Sequence, residues 1–228
     1  MKIKNIIFDN GGVLSDPKTG HWFITTNFWE ILNLDKNTNI DNMKSIMKKY
    51  IHLLTQDPKT EKEEYEMFSN FYYHVLKEFK YNNLSKEITN SLASDCVYND
   101  DKYIFYDDVD KELDNLSKKY NLYMITDAWP SSFRVLDNKD ISKYFKNIMV
   151  SSIESKIKTD GLFEIFLDKN KNVVPEESIF IDDRTIVLDK SKECNFNVLQ
   201  MDRNYEIKDS KYIIIHELKE VEKYLEDI

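Results

Sequence analysis

Ile6-Ile7-Phe8-Asp9-Asn10-Gly11-Gly12 is the stretch whose reading decides the fold. A run of β-branched and aromatic residues closed by a glycine pair reads as a buried strand entering a turn where backbone can approach a ligand closely. The pair carries weight because the 228-residue chain holds only four glycines. Asp9, at the end of that strand, is then a carboxylate facing the ligand.

Beyond the glycine pair the hydrophobic period becomes helical. Ile40, Met43, Ile46, Met47, Tyr50, Ile51 and Leu54 recur at three- and four-residue steps, which predicts one amphipathic helix. Thr60 with Glu63 predicts a capping box opening the next helix, whose stripe is Tyr65, Phe68, Phe71, Tyr72, Val75, Leu76 and Phe79. Segments 22–34 and 84–97 complete an all-helical block, and its Met and aromatic stripes read first as helix packing.

After residue 100 the pattern alternates. Val109, Leu113 and Leu116 mark a helix, and Leu122-Tyr123-Met124-Ile125 a short strand. Ile148-Met149-Val150, Ile179-Phe180-Ile181, Asn197-Val198-Leu199 and Tyr212-Ile213-Ile214-Ile215 read as further strands, spaced by helix-length stretches. Strands alternating with helices predict an α/β fold, a Rossmann-like parallel sheet with helices on both faces. The first strand joins that sheet, so residues 1–16 and 99–228 form the α/β core and residues 17–98 an inserted helical cap.

Composition narrows the function classes. A formal net charge of -9 opposes binding to nucleic acid or an anionic membrane, because phosphate neutralisation needs clustered Lys and Arg. No apolar signal-peptide core opens the chain and no eighteen apolar residues follow one another, so a soluble, cytoplasmic protein is expected. Cys96 and Cys194 are isolated thiols without metal-ligand spacing and read as small hydrophobes.

Open α/β sheets bind ligands at the carboxyl ends of their strands. Four positions qualify: Asp9 after the first strand, Thr126 after Leu122-Tyr123-Met124-Ile125, Lys158 beyond the strand at 148–152, and Asp182-Asp183 after Ile179-Phe180-Ile181. A carboxylate nucleophile, a hydroxyl donor, an ammonium and a carboxylate pair are the parts that phosphoryl transfer needs. Taken singly, Thr126 and the aspartate pair also read as helix caps, and Lys158 as a surface lysine. Their succession at strand ends favours a site.

In this order the four stretches resemble the four motifs of the haloacid dehalogenase-like hydrolases, and the resemblance covers nearly the whole chain. Phe8-Asp9-Asn10-Gly11-Gly12-Val13-Leu14 resembles the first motif in an Asp-x-Gly-Gly-Val form. Residues 151–163 resemble the third, with Lys158 in the lysine position and Lys156 as the alternative, since Thr159 stands where proline is usual. Residues 178–199 resemble the fourth, with Asn195 at a site usually held by glycine, a departure the left-handed tolerance of Asn accommodates.

The resemblance implies a Mg²⁺-dependent phosphatase acting on a small phosphorylated metabolite. Asp9 would attack phosphorus to form an aspartyl-phosphate, with Thr126 and Lys158 holding phosphoryl oxygens. Mg²⁺ would be held by Asp9, Asp183 and the Gly11 carbonyl, Asp182 would stand beside it, and the cap would choose the substrate. The main departure is Gly11, where most phosphatases of the family carry an aspartate that serves as general acid and base. A positioned group of that kind is worth ~10² to 10⁴ in rate. Two alternatives follow: a catalytically impaired phosphate-binding or regulatory protein, and a haloacid dehalogenase. The Asp182-Asp183 pair argues against the second, because without a cation it repels a substrate carboxylate.

Overall fold

The computed structural model describes residues 2–226. Its strands are β1 (Asn5–Phe8), β2 (Ser15–Pro17), β3 (Tyr103–Phe105), β4 (Asn121–Thr126), β5 (Phe145–Val150), β6 (Ser178–Asp182), β7 (Asn197–Met201) and β8 (Ile214–Ile215). Its α-helices are α1 (Phe28–Leu32), α2 (Lys36–Tyr50), α3 (Glu61–Glu78), α4 (Lys86–Tyr98), α5 (Val109–Ser117), α6 (Ser131–Asn138), α7 (Ser151–Glu154), α8 (Leu162–Lys169), α9 (Thr185–Glu193) and α10 (Lys219–Glu226). The chain divides into two compact units. One takes the residues up to Asp16, Phe105–Ala128 and those from Ser132 onward; the other takes Pro17–Ile104 with Trp129–Ser131.

In the first unit six strands form one sheet in the order β5-β4-β1-β6-β7-β8, with every neighbouring pair parallel. Successive side chains of a strand point to opposite faces, and the core divides accordingly. Ile6 and Phe8, Leu122 and Met124, Ile179 and Ile181 pack with Val109, Leu113 and Leu116 of α5 and Val221 of α10. Ile7, Tyr123, Ile125 and Phe180 pack on the other side with Leu162, Phe163 and Phe166 of α8 and Val187 and Leu188 of α9. Both faces are covered, which is why the strands read as unbroken apolar runs. The order also reverses at β1: β4 lies on one side of it and β6 on the other. At such a switch point the strand ends leave a crevice for a ligand.

The second unit is helical. The Thr60 side chain accepts the Glu63 N–H at 3.2 Å while Glu63 accepts the Thr60 N–H at 3.1 Å, so the expected capping box opens α3. Phe68, Phe71, Tyr72, Val75 and Leu76 of that helix are buried in one cluster with Met43, Met47 and Leu92. Each large side chain so buried contributes about 1.5–3 kcal/mol. The Met and aromatic stripes are therefore committed to packing. Trp129–Ser131 joins this unit through specific contacts: Trp129 Nε1 donates to the Thr55 carbonyl at 2.9 Å, and Ser131 donates from N and Oγ to the buried Glu64 carboxylate, both at 2.7 Å.

Several expected elements are shorter than their patterns: the helix read from Ile40 through Leu54 ends at Tyr50, where the ladder tightens to a 3₁₀ turn at Ile51–Leu53. Of segment 22–34 only Phe28–Leu32 is α-helical. The Asp95 carboxylate there accepts from the Thr25 hydroxyl and from the Asn27 N–H and side-chain amide, a local alternative to the helical ladder, and Asn33 at φ 50° ends the helix. Of the strand expected at 212–215, Ile214 and Ile215 pair with Gln200 and Met201 and the Ile213 carbonyl accepts the Gln200 N–H at 2.9 Å, while the Tyr212 N–H is taken by the Ser210 hydroxyl at 3.0 Å. Among the described residues no helix is long and apolar enough to cross a membrane.

Candidate active site

Sheet register builds the site. Phe8 pairs with Met124 on one side and Ile181 on the other, and the Asp9 N–H extends the ladder to the Ile181 carbonyl at 2.9 Å. Two-residue alternation places Asp9 on the face of Ile7, and Asp182 on the face of Phe180. These are the same face, so two carboxylates emerge side by side from adjacent strands. Both are buried, Asp9 at 5% exposure and Asp182 at 0%.

Lys158 stands between them. Its Nζ lies 2.7 Å from Asp9 Oδ2 and 2.5 Å from Asp182 Oδ2, 5.8 Å over the Phe180 ring, and the whole residue is buried. The loop that carries it turns tightly between α7 and α8: Ser155 has φ 53°, Gly161 has φ 89°, and Ile157 bridges to Asp160 and Gly161. Sequence reading placed Lys158 directly beyond a strand running to residue 152; the ladder stops at Val150 and the helical turn α7 intervenes. Lys156, the alternative, pairs instead with Asp160 at 3.1 Å on the surface.

Asp183 completes an acidic group. Asp9, Asp182 and Asp183 each offer a carboxylate oxygen, and the three oxygens lie within 4.8 Å of one another. The second glycine of the pair makes room for this. Gly12 has φ +72°, and a Cβ there would stand 2.7 Å from Asp183 Oδ2, so no other residue fits without displacing that carboxylate. Gly11 does not have a positive φ, and its carbonyl accepts no hydrogen bond among the described residues. Thr126 ends β4 beside β1, buried at 3% exposure, and its hydroxyl makes no hydrogen bond among the described residues. Asn195 has φ 66°, the left-handed conformation expected of it.

Three further residues hold these parts together and were missed in the sequence. Asp127 accepts the Lys158 backbone N–H at 2.9 Å through Oδ1 and Arg184 Nη2 at 2.9 Å through Oδ2. Arg184 donates its own backbone N–H to Asp182 Oδ1 at 2.8 Å. Gln200, on β7, donates to the Asp183 carbonyl at 2.9 Å and to Thr185 Oγ1 at 3.1 Å. Asp127 directly follows β4, Arg184 stands two residues past β6 and Gln200 one residue before the end of β7, and that nearness to strand ends is the one signal by which they were findable.

The electrostatics are unbalanced. Four carboxylates, Asp9, Asp182, Asp183 and Asp127, stand with two cations, Lys158 and Arg184, which leaves a formal excess of two negative charges. Burial pushes the Asp182 carboxyl up to about 7 against the pull of Lys158. Burial, and then the Asp9 charge, raise Asp183 as well. Burial opposes the charge of Lys158, but Asp182, Asp9 and Asp127 outweigh it and raise that ammonium above its ordinary value. Asp9 Oδ1 is buried with no hydrogen-bond partner, and an orphaned carboxylate oxygen of that kind is costly. A hard divalent cation held by oxygen ligands fits both the missing charge and the missing partner.

No protein-family model matches the chain, and neither does any curated protein sequence. Solved structures do match it throughout. The HAD-hydrolase YfnB from Bacillus subtilis, solved bound to magnesium, superposes with a TM-score of 0.75 at 15% identity, covering 99% of each chain. The fold is that of the haloacid dehalogenase-like hydrolases. Within it the chain is similar to a HAD phosphatase from Thermococcus onnurineus, with a TM-score of 0.66, 17% identity and 98% of each chain covered. It is similar also to an L-2-haloacid dehalogenase from Xanthobacter autotrophicus, with a TM-score of 0.68, 10% identity and 99% of each chain covered. Different chemistries thus share the haloacid dehalogenase-like scaffold, and the choice between them belongs to the side chains of the site.

Proposed function

We infer that the protein is a Mg²⁺-dependent phosphatase that hydrolyses a small phosphorylated metabolite through an aspartyl-phosphate. The observation that carries this reading is the Asp9 carboxylate, held by Lys158 through one oxygen and partnerless at the other, beside a second carboxylate at Asp183. One Asp9 oxygen attacks phosphorus, the ester P–O bond breaks, and the leaving alkoxide takes a proton from solvent. Water then attacks the phosphorus of the acyl phosphate, releasing inorganic phosphate and restoring the Asp9 carboxylate. Lys158 and the Thr126 hydroxyl bind phosphoryl oxygens. Asp9, Asp183 and the Gly11 carbonyl would hold Mg²⁺, which supplies charge neutralisation for the transferring group. The uncompensated charge of the site disfavours a haloacid substrate, whose carboxylate would meet three others.

Binding of the cation to the folded state is measurable without turnover. Mg²⁺ at about 100 times its dissociation constant should stabilise the protein by ~2.7 kcal/mol, seen as a rise in the thermal midpoint, and EDTA should reverse it. Asp183→Asn should lose most of that rise together with phosphate release from an aryl ester. A midpoint indifferent to Mg²⁺ in the wild-type protein would remove the metal from this reading.

Gly11 favours the second reading, a phosphate-binding protein without turnover, and leaving-group chemistry separates the two. With no side chain at residue 11 to protonate an alkoxide, an aryl or anomeric phosphate should be hydrolysed much faster than a simple alkyl phosphate. Because Gly11 lacks a positive φ, Gly11→Asp faces no left-handed strain. It should narrow the gap by part of the ~10² to 10⁴ that general acid-base groups contribute. Equal wild-type rates on aryl and alkyl esters, with chemistry limiting, would show that another group supplies the proton. Binding of phosphate without release from any ester would favour the second reading.

A further inference from the structure

We propose that Asp127 is a positioning residue that delivers Lys158 to Asp9, with Arg184 as its counter-charge. The proposal rests on Asp9 and Lys158 as the reacting centre, and not on which leaving group departs.

Lysine ends in a compact ammonium on a flexible four-carbon stem, so where Nζ lands depends on where the backbone is held. Lys158 lies in a loop with no regular secondary structure, between Ser155 at φ 53° and Gly161 at φ 89°. Its backbone N–H makes no bond within that loop and is donated to Asp127 Oδ1 at 2.9 Å. Asp127 is the residue after β4, and β4 is paired with β1, so this bond ties the lysine loop to the strand next to Asp9. The other oxygen of Asp127 holds Arg184 Nη2 at 2.9 Å, and Arg184 N holds Asp182 Oδ1 at 2.8 Å. A closed ring results, running from Lys158 Nζ to Asp182, along Arg184 to Asp127, and back to the Lys158 backbone. Two of its links end on main-chain N–H groups, so it fixes the backbone of both loops.

The competing account is an ordinary surface ion pair. The Arg184 side chain is 47% exposed and that of Asp127 20%, and pairs at such exposure add little net stability. What the pair does accomplish geometrically is to orient the carboxylate whose other oxygen holds Lys158. An amide at this position would still accept the Lys158 N–H but would turn its NH₂ toward the guanidinium, whereas an isosteric apolar side chain would lose both bonds.

The test compares Asp127→Leu with Asp127→Asn in the full-length Mg²⁺-loaded protein. Three readouts are taken: kcat and KM on an aryl phosphate, the thermal midpoint, and the ¹⁵Nζ resonance of Lys158. Misplacement of a reacting group by about 1 Å costs up to ~10²-fold, so the leucine variant should lose ~10- to 10²-fold in kcat with a much smaller change in KM. Its Lys158 ammonium signal, protected in the wild type by burial between two carboxylates, should broaden or shift. The asparagine variant should recover most of kcat and keep the signal. Should the leucine variant not fold, Asp127→Ala carries the same comparison. Equal kcat in the leucine variant and the wild type, an asparagine variant as impaired as leucine, or an unmoved ammonium signal in the leucine variant would each overturn the proposal. Absence of phosphatase turnover in the wild type would instead defeat the functional reading, and the ammonium signal would still decide the role of Asp127.

Discussion

Asp9→Asn should leave a folded protein that fails to turn over an aryl phosphate, with an expected fall on the order of 10⁴-fold or more, the scale that removing the nucleophile costs in covalent hydrolases. The fold survives because the amide is isosteric, its oxygen still accepts from Lys158 Nζ, and the backbone N–H that bonds Ile181 is untouched. Chemistry should not survive, because a neutral amide is a poor nucleophile and a poor magnesium ligand. Circular dichroism and single-turnover phosphate release test the two halves separately. Activity within tenfold of the wild type would mean that the nucleophile lies elsewhere.

The second large effect is on stability. Lys158→Met keeps most of the volume of the buried stem and removes its charge, leaving Asp9 and Asp182 adjacent on one sheet face with nothing between them. Removing one partner of a buried ion pair typically costs about 3–5 kcal/mol, because the remaining charge is buried without compensation. Urea unfolding at neutral pH in EDTA should show that loss, and Mg²⁺ should return part of it by supplying positive charge to the same carboxylates. Turnover should fall as well, since no ammonium remains to hold the phosphoryl group. A metal-free variant as stable as the wild type would mean that the carboxylates are discharged by some route other than Lys158.

The two expectations differ in how far the sequence reaches toward them. Asp9 was legible because everything that places it is local: three apolar residues before it, a glycine pair after it, and the rule that parallel sheets bind ligands at their carboxyl ends. Thr126 and Asp182-Asp183 were legible by the same rule at two other strand ends. Lys158 was only half legible. Lys156 and Lys158 sit two residues apart in an aperiodic loop, and the choice between them depends on the left-handed turns at Ser155 and Gly161, which point one stem into the core and the other to Asp160. Trp129–Ser131 fell inside the 99–228 range read as α/β core, yet its bonds run to Thr55 and Glu64 of the helical unit, far away in sequence.

Taken by itself, the sequence determined what repeats along the chain or follows a local rule: the parallel α/β sheet, the helical stretch between its first strand and the rest, the Thr60 capping box and the strand ends at which Asp9, Thr126 and Asp182 stand. Hydrophobic period and capping chemistry are written in neighbouring residues, so they need no knowledge of the rest of the molecule. Only the tertiary structure decided which lysine enters the core, that Gly12 is required by the approach of Asp183, and that Asp127 and Arg184 join three loops. Those facts depend on atoms brought within 3 Å from segments tens of residues apart, with Asp127 bonded to Lys158 across 31 positions and to Arg184 across 57. Side chains meeting across such separations leave no periodic trace, because the sheet register that brings them together is set by the whole core.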